Sequence, residues 1–155
     1  MGTSTDAIIC IGYDLDEDHE LPWGEEESEH EDVDDWWREY SGFKAKCFKP
    51  FVEGGYAPGV DRGDPRIGEW FAEKRAWDED HPLPVEVVWH CSYDYPMYVV
   101  AIPGSVVTAS RGEALDVSDL YQPTPEDIAA LKAFMRLIGV EPEGEPKRIL
   151  CSMWG

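Results

Sequence analysis

The chain has 155 residues and a formal net charge of −20, because 33 acidic residues outnumber 13 lysines and arginines. This length suits one sizeable hydrophobic core, so we expect a single domain over residues 1–155. The strong negative charge argues against direct binding to nucleic acid or to an anionic membrane surface.

The distribution of apolar residues predicts a cytoplasmic protein. No apolar run is as long as a transmembrane helix, and the first residues do not follow the pattern of a secretory signal peptide. Three of the four cysteines, Cys10, Cys91 and Cys151, lie within apolar, strand-like runs, which indicates buried thiols rather than disulfides.

An apolar run from Ala7 to Tyr13 is the first element in chain order, and it predicts a central strand. The next residues, 14–35, are called the acidic stretch below. They contain 13 of the 33 acids and no lysine or arginine. We expect an acidic loop over residues 14–32, anchored by the apolar side chain of Trp23.

The end of the acidic stretch predicts a helix over 29–41, with Ser28 as a suitable N-cap. The directions of two consecutive tryptophans on a helix differ by about 100°. One of the two tryptophans is therefore expected in the core and the other at the margin of the core. A partly exposed ring among carboxylates is typical of an interface anchor. The alternative is that both rings pack at the edge of the core. The apolar stripe of this helix consists of Val33, Trp36, Trp37 and Tyr40.

The middle of the chain predicts a second helix and a hairpin. Residues 43–51 alternate aromatic and lysine side chains imperfectly, which favours either an edge strand or a loop. Asp64 and Pro65 predict the start of a helix over 65–77. The β-branched and aromatic residues of 85–102 predict two strands joined by a tight turn.

The last helix and strand have clear signals. Thr124, Pro125 and Asp127 occupy the N-cap, N1 and N3 positions of a capping box, and Gly139 suits the C′ position. The apolar run at the end of the chain is expected to pair beside the first strand. The predicted fold is α+β, with a mainly antiparallel sheet of strands over 7–13, 85–91, 97–102, 105–110 and 148–154 and helices over 29–41, 65–77 and 125–138.

Three short segments resemble a family of small acidic proteins from actinobacteria and their bacteriophages. The segments are Asp6–Leu15, Cys91–Tyr98 and Ser152–Gly155, so the resemblance spans both ends and the centre of the chain. The family has no activity or catalytic residues to transfer. The resemblance implies an accessory protein, phage-borne in some members, that acts inside a bacterial cell.

Acids at alternating positions of the acidic stretch predict a site for a hard cation, with Asp14, Asp16 and Asp18 followed by Glu25 at the twelfth position. Two features differ from an EF-hand. His19 occupies the position where the loop needs glycine, and a strand rather than a helix precedes the loop. The alternatives are a site for calcium or another divalent cation and a solvated acidic loop. We expect no other cofactor.

For catalysis, the sequence contains no nucleotide-binding or hydrolase motif. His90 and Cys91 are neighbours on a predicted strand and point to opposite faces, so a Cys–His pair would need Cys10 or Cys151 from another strand. We therefore expect no catalytic residues. The alternative is a small enzyme with its site near the 90–98 hairpin.

The leading hypothesis is a non-enzymatic acidic protein that binds a basic surface of a host protein. A dense carboxylate array imitates the phosphates of duplex DNA and competes for sites built from lysine and arginine, so the partners include nucleic-acid-binding proteins. Together with the family resemblance, this predicts a phage-type accessory or inhibitor protein that acts as a DNA mimic. The predicted partner-binding residues are Glu25, Glu26, Glu27, Glu29, Glu31, Asp32, Asp35 and Trp36.

Overall fold

The computed structural model describes residues 5–15, 19–23, 30, 32–92 and 94–154. The chain divides into two compact units, called here the sheet unit (Met1–Leu21 with Pro84–Gly155) and the helical unit (Pro22–Leu83). Each unit is described by itself. The single domain expected from the chain length stays a prediction.

The described elements confirm the predicted α+β class. Three helices accompany a five-stranded sheet and a short hairpin. In chain order they are β1 (Thr5–Asp14), α1 (Val33–Tyr40), β2 (Phe51–Val52), β3 (Gly55–Tyr56), α2 (Pro65–Asp80), β4 (Glu86–Ser92), β5 (Pro96–Ala101), β6 (Val107–Ala109), α3 (Pro125–Leu137) and β7 (Lys147–Trp154).

The sheet has the strand order β5-β4-β7-β1-β6, and β1 also pairs with β5. All pairings are antiparallel except that of β4 with β7. The last strand lies beside the first along its whole length, from Thr5 opposite Trp154 to Gly12 opposite Lys147, as predicted. The pairings β1–β5, β5–β4, β4–β7 and β7–β1 therefore form a closed circuit of four strands.

The inner face of this circuit holds an apolar core. Because side chains alternate along a strand, every second residue of each strand faces inward. A buried cluster forms in this way, and β7 adds partly buried side chains to it. The buried members are Ile8, Cys10, Val88, Val99 and Ala101, and the side chains packed against them are Val106, Ile149, Cys151 and Met153.

Helix α3 forms as its local signals predict. The Thr124 hydroxyl accepts a hydrogen bond from the Asp127 amide, and the Asp127 carboxylate accepts one from the Thr124 amide in return, which completes the capping box. Gly139 follows the C-cap residue with φ of 85°, a backbone conformation that favours glycine. Leu131 and its neighbours on one face are buried, and the helix packs against β5.

The helical unit contains α1, the β2–β3 hairpin and α2. Helix α1 begins later than predicted, because Asp32 is the N-cap and accepts a hydrogen bond from the Asp35 amide at 2.8 Å. The predicted cap, Ser28, lies outside the described residues. Helix α2 starts after Asp64 as predicted and continues to Asp80, where Pro82 disfavours further helix. No helix in the described part of the chain has both the length and the apolar character that spanning a membrane requires.

Candidate functional site

The structure describes three of the eight predicted partner-binding residues, namely Asp32, Asp35 and Trp36 at the start of α1. The five glutamates lie outside the described residues. Of the predicted cation ligands, only Asp14 is described, at the end of β1.

The first turn of α1 concentrates carboxylates. Asp32 caps the helix, and Asp34 and Asp35 follow in the first turn, where the helix dipole favours negative charge. Burial raises the pKa of Asp34, and the nearby Asp32 carboxylate raises it further, against the opposing effect of Arg38. The Asp34 carboxyl is therefore easier to protonate than an exposed aspartate, chiefly because of its burial and secondarily because of the neighbouring carboxylates.

Two cations of the same unit already bind Asp35. Lys74 on α2 donates a hydrogen bond to Asp35 Oδ1 at 3.0 Å, and Arg38 donates to the same oxygen. Burial acts to raise the pKa of Asp35, but the hydrogen bonds and charges of Lys74 and Arg38 outweigh it, so the pKa lies below its usual value. Asp35 therefore offers less free charge to an external partner than sequence reasoning assumed.

Four rings pack against one another next to these carboxylates, and we call Trp23, Trp36, Trp37 and Tyr40 the aromatic cluster. The Trp36 ring lies 5.4 Å from that of Trp23 and 5.5 Å from that of Tyr40, centroid to centroid. Trp37 lies 5.5 Å from Tyr40 and donates its indole N–H to the His81 carbonyl at 2.9 Å. Trp23 is buried at 5% exposure, whereas Tyr40 is 56% exposed.

The aromatic cluster shows what sequence reasoning found and what it missed. The helical spacing of Trp36, Trp37 and Tyr40 indicates one apolar stripe, and in the structure the Tyr40 ring stacks on both tryptophan rings. The exposed member is Tyr40, although Trp36 was the predicted anchor. The contact between the Trp23 and Trp36 rings, which are tilted by 46°, joins residues 13 positions apart, and no local pattern signals it.

Arg38 links the two helices of this unit. Its Nε donates to Asp78 Oδ1 at 2.6 Å and its Nη2 to Asp78 Oδ2 at 3.0 Å, a two-pronged contact that guanidinium geometry favours. The Arg38 side chain is only 14% exposed, but the Asp78 side chain is 43% exposed, so solvent screens part of this interaction.

We expect Arg38→Met to lower the free energy of unfolding by about 1–3 kcal/mol, because it leaves a half-buried carboxylate without its main donor. Arg136→Met is the matched control. Arg136 pairs with Glu141 at a site where the two side chains are 54% and 74% exposed, and we expect a change within about 0.5 kcal/mol. Urea unfolding measures the free energy of unfolding of both variants. Equal losses of stability in the two variants would contradict a special role for Arg38.

In the sheet unit, a second group of titratable side chains gathers at the inner face of the strand circuit. His90 Nε2 lies 3.5 Å from Asp14 Oδ1 but has no hydrogen-bond partner among the described residues, and the His90 side chain is 12% exposed. Burial raises the pKa of Cys10 to about 12, with further contributions from Cys151, Glu86 and Asp14. Burial and then Asp14 raise the pKa of Cys151 as well. These two thiols stay protonated at neutral pH, a state that disfavours nucleophilic attack.

Cys91 has a backbone that the sequence does not predict. Its φ of 76° is strained for a residue with a side chain. Cys91 pairs with Pro96 of β5 on one side and with Met153 of β7 on the other. Regular strand alternation therefore ends at this residue. The prediction that His90 and Cys91 point to opposite faces assumed a regular strand, and it stays a prediction.

The described residues contain no group of three or more histidine, cysteine, aspartate or glutamate side chains arranged to hold a metal ion. Asp14 faces His90 instead. Because Asp16, Asp18 and Glu25 lie outside the described ranges, the cation site over residues 14–25 stays a prediction.

Comparison with known proteins identifies no relative of this chain. The resemblance to actinobacterial and phage proteins remains an expectation from three short segments. No protein-family model, curated protein sequence or solved structure matches the chain.

Proposed function

We propose that this protein binds a basic surface of another protein through the acidic stretch and the aromatic cluster. One observation carries the proposal. Residues 14–35 contain 13 acids and no lysine or arginine, and this segment supplies Trp23, and is followed directly by Trp36, in the cluster of four rings. Charge and aromatic surface therefore occur together, which suits an interface with an aromatic anchor inside a polar rim.

Electrostatics supports a cationic partner. Arg38 and Lys74 pair with Asp35, while burial first, and then the neighbouring carboxylates of Asp32, Asp78 and Asp35, raise the pKa of Asp34. A lysine- or arginine-rich surface would relieve the repulsion among these carboxylates on binding. Complementary charge of this kind mainly increases the association rate and selects the partner class, and salt weakens it.

The aromatic cluster supplies the apolar part of the contact. The Tyr40 ring is 56% exposed and stacks on both Trp36 and Trp37, so its position is fixed before binding. A fixed aromatic ring loses little conformational entropy when a partner covers it. Tyr40 is therefore the anchor of the proposed interface, with the carboxylates as its rim.

The partner class that fits best is a DNA-binding protein. Its duplex-binding surface is built to neutralise closely spaced phosphates, and a run of carboxylates presents a similar charge density. On this proposal the protein is a DNA mimic that inhibits its partner by occupying the DNA site, in keeping with a phage-type accessory protein.

Competition with DNA tests the proposal. We expect the wild-type protein to displace a fluorescent DNA duplex from at least one member of a panel of purified bacterial DNA-binding proteins at low salt, and not at high salt. A six-acid variant replaces the five predicted glutamates by glutamine and Asp32 by asparagine, which still caps a helix. We expect it to lose at least about 100-fold in affinity.

A matched control separates the site from net charge alone. It neutralises six other exposed acids, and so changes the net charge by the same amount. We expect it to compete nearly as well as the wild type, and Tyr40→Ala to compete less well. Equal loss in both six-acid variants, or no displacement from any panel member, would overturn the proposal. The control positions are Glu53, Glu69, Glu79, Asp80, Asp119 and Glu143.

A further inference from the structure

The loop between α1 and β2 reverses the charge of the chain locally. Between Glu39 and Glu53 the sequence has three lysines and no acid, although the whole chain has a net charge of −20. All three lysines are exposed, and no described carboxylate lies within ion-pair distance of their ammonium groups. We call residues 43–49 the lysine loop, and its lysines are Lys44, Lys46 and Lys49.

Contacts with both helices of the helical unit hold the lysine loop in place. At its start, the Phe43 amide donates a hydrogen bond to the Arg38 carbonyl of α1 at 2.9 Å. In its middle, Glu73 Oε2 on α2 accepts hydrogen bonds from the Lys46 amide at 2.8 Å and from the Cys47 amide at 3.3 Å. A loop whose backbone is fixed in this way loses less conformational entropy when a partner binds it.

Helix α2 also connects the lysine loop to the carboxylates of α1. Glu73 holds the loop, and the next residue, Lys74, donates a hydrogen bond to Asp35 Oδ1 at 3.0 Å. Asp35 lies in the first turn of α1 with Asp34, directly after the N-cap Asp32. Consecutive residues of α2 therefore hold a group of carboxylates and a loop with unpaired ammonium groups.

We infer that the partner is a metal-dependent nuclease, and that the lysine loop binds the carboxylates with which that enzyme holds its divalent cations. This inference rests on the proposed function. A DNA-binding site built only from lysine and arginine would repel the lysine loop. The site of a metal-dependent nuclease also contains carboxylates, because they hold the divalent cations next to the DNA phosphates.

An ammonium group is a suitable occupant of such a metal site. It is a compact point charge on a flexible stem, and it relieves the repulsion between carboxylates that have lost their metal ion. The acidic stretch, with 13 acids, would occupy the phosphate positions and supply the long-range attraction to the basic partner. On this inference the nuclease loses access both to DNA and to its metal ions.

A divided panel tests the class of the partner. In the duplex-displacement assay, with EDTA present to prevent cleavage, we expect the wild-type protein to displace DNA from at least one metal-dependent nuclease. We expect weaker displacement from DNA-binding regulators that have no metal site. Equal displacement from both classes, or displacement from regulators alone, would overturn this inference and leave the proposed function standing. Displacement from no protein would overturn both.

A triple variant locates the contact. It replaces the three lysines of the lysine loop by glutamine, and we expect at least about a tenfold loss of affinity for the displaced nuclease. The control replaces three exposed cations of the sheet unit by glutamine, so both variants become more negative by the same amount. Net charge alone would favour binding to a basic partner, so we expect the control to bind at least as tightly as the wild type. Equal affinities of the two variants would overturn the inference. The control positions are Arg136, Lys147 and Arg148.

Divalent cations provide a second measurement. By calorimetry we expect the wild type to bind the nuclease at least about tenfold more tightly in EDTA than in Ca²⁺, because Ca²⁺ and the lysine loop compete for the same carboxylates. Ca²⁺ that binds to the acidic stretch would weaken the wild type and the triple variant alike. We therefore expect a smaller difference between EDTA and Ca²⁺ for the triple variant. The same difference for both proteins would overturn the inference.

Discussion

Gly12→Ala is expected to unfold the sheet unit. A Cβ atom at this position would lie 2.1 Å from the Val100 carbonyl oxygen and 2.8 Å from Ala101 Cα, and both atoms belong to the backbone. Gly12 pairs with Ala101 of β5 on one side and with Lys147 of β7 on the other, so neither strand can move away without breaking ladder hydrogen bonds. We expect a loss of at least about 3 kcal/mol in the free energy of unfolding.

Gly68→Ala is the control for this substitution. Gly68 lies inside α2, where an added Cβ meets no atom within 4 Å and the backbone φ is not positive. Alanine there is expected to stabilise the protein by about 0.5–1 kcal/mol, because it favours helix over the unfolded chain. Far-UV circular dichroism and urea unfolding measure both variants. A folded Gly12→Ala protein with nearly wild-type stability would contradict the close approach of β1 and β5.

Elements with complete local signals could be predicted from the sequence. Thr124, Pro125 and Asp127 satisfy the requirements of a helix start within four residues, and α3 begins there. Asp64 is the N-cap of α2, and Pro65 follows it at the first helical position. The last strand could be placed beside the first because both are short, apolar runs with few other ways to bury their side chains.

The start of α1 could not be predicted, because several residues qualify equally as N-caps. Ser28 and Asp32 both carry a side-chain oxygen that accepts a hydrogen bond from a helix amide. In the structure Asp32 is the N-cap, and tertiary contacts pack Trp36 against Trp23 and pair Arg38 with Asp78. Those contacts are 13 and 40 residues apart in the chain, and helical periodicity contains no information about them.

The same limit applies to the candidate site. The acidic stretch and the aromatic stripe are visible in composition and spacing alone. The partial neutralisation of Asp35 depends on Lys74, 39 residues later in the chain. The grouping of Cys10 with Cys151 follows from the pairing of β1 with β7, but the position of His90 beside Asp14 depends on β4. The close approach of Gly12 to β5 is signalled only by a glycine inside an apolar strand, which often marks such an approach.

Alkaline pH is expected to destabilise the protein through Cys10. The side chain is fully buried, and its pKa is raised from 9.0 to about 12, by burial first and then by the nearby Cys151, Glu86 and Asp14. In the unfolded chain the thiol ionises near pH 9, whereas in the folded protein it stays protonated until about pH 12. Between these values the unfolded state binds fewer protons, so stability falls as pH rises.

The expected loss is about 4 kcal/mol over these three pH units, because each unit of pKa difference corresponds to about 1.4 kcal/mol. The stabilising contribution is complete below pH 9. Urea unfolding between pH 7 and pH 11 measures how the free energy of unfolding changes with pH. About two thirds of the loss is expected between pH 9 and pH 11. Because tyrosines and lysines also titrate there, the comparison is between the wild type and Cys10→Ala.

Cys10→Ala is expected to be less stable at pH 7, because it removes a packed side chain, but to lose less stability as pH rises. The two curves should therefore converge toward pH 11. Alkylation is a second measurement: iodoacetamide reacts with the thiolate, so we expect it to leave Cys10 unmodified in the folded protein at pH 8. Parallel curves for the two proteins would mean that Cys10 ionises alike in the folded and unfolded chain, contrary to its burial inside the strand circuit.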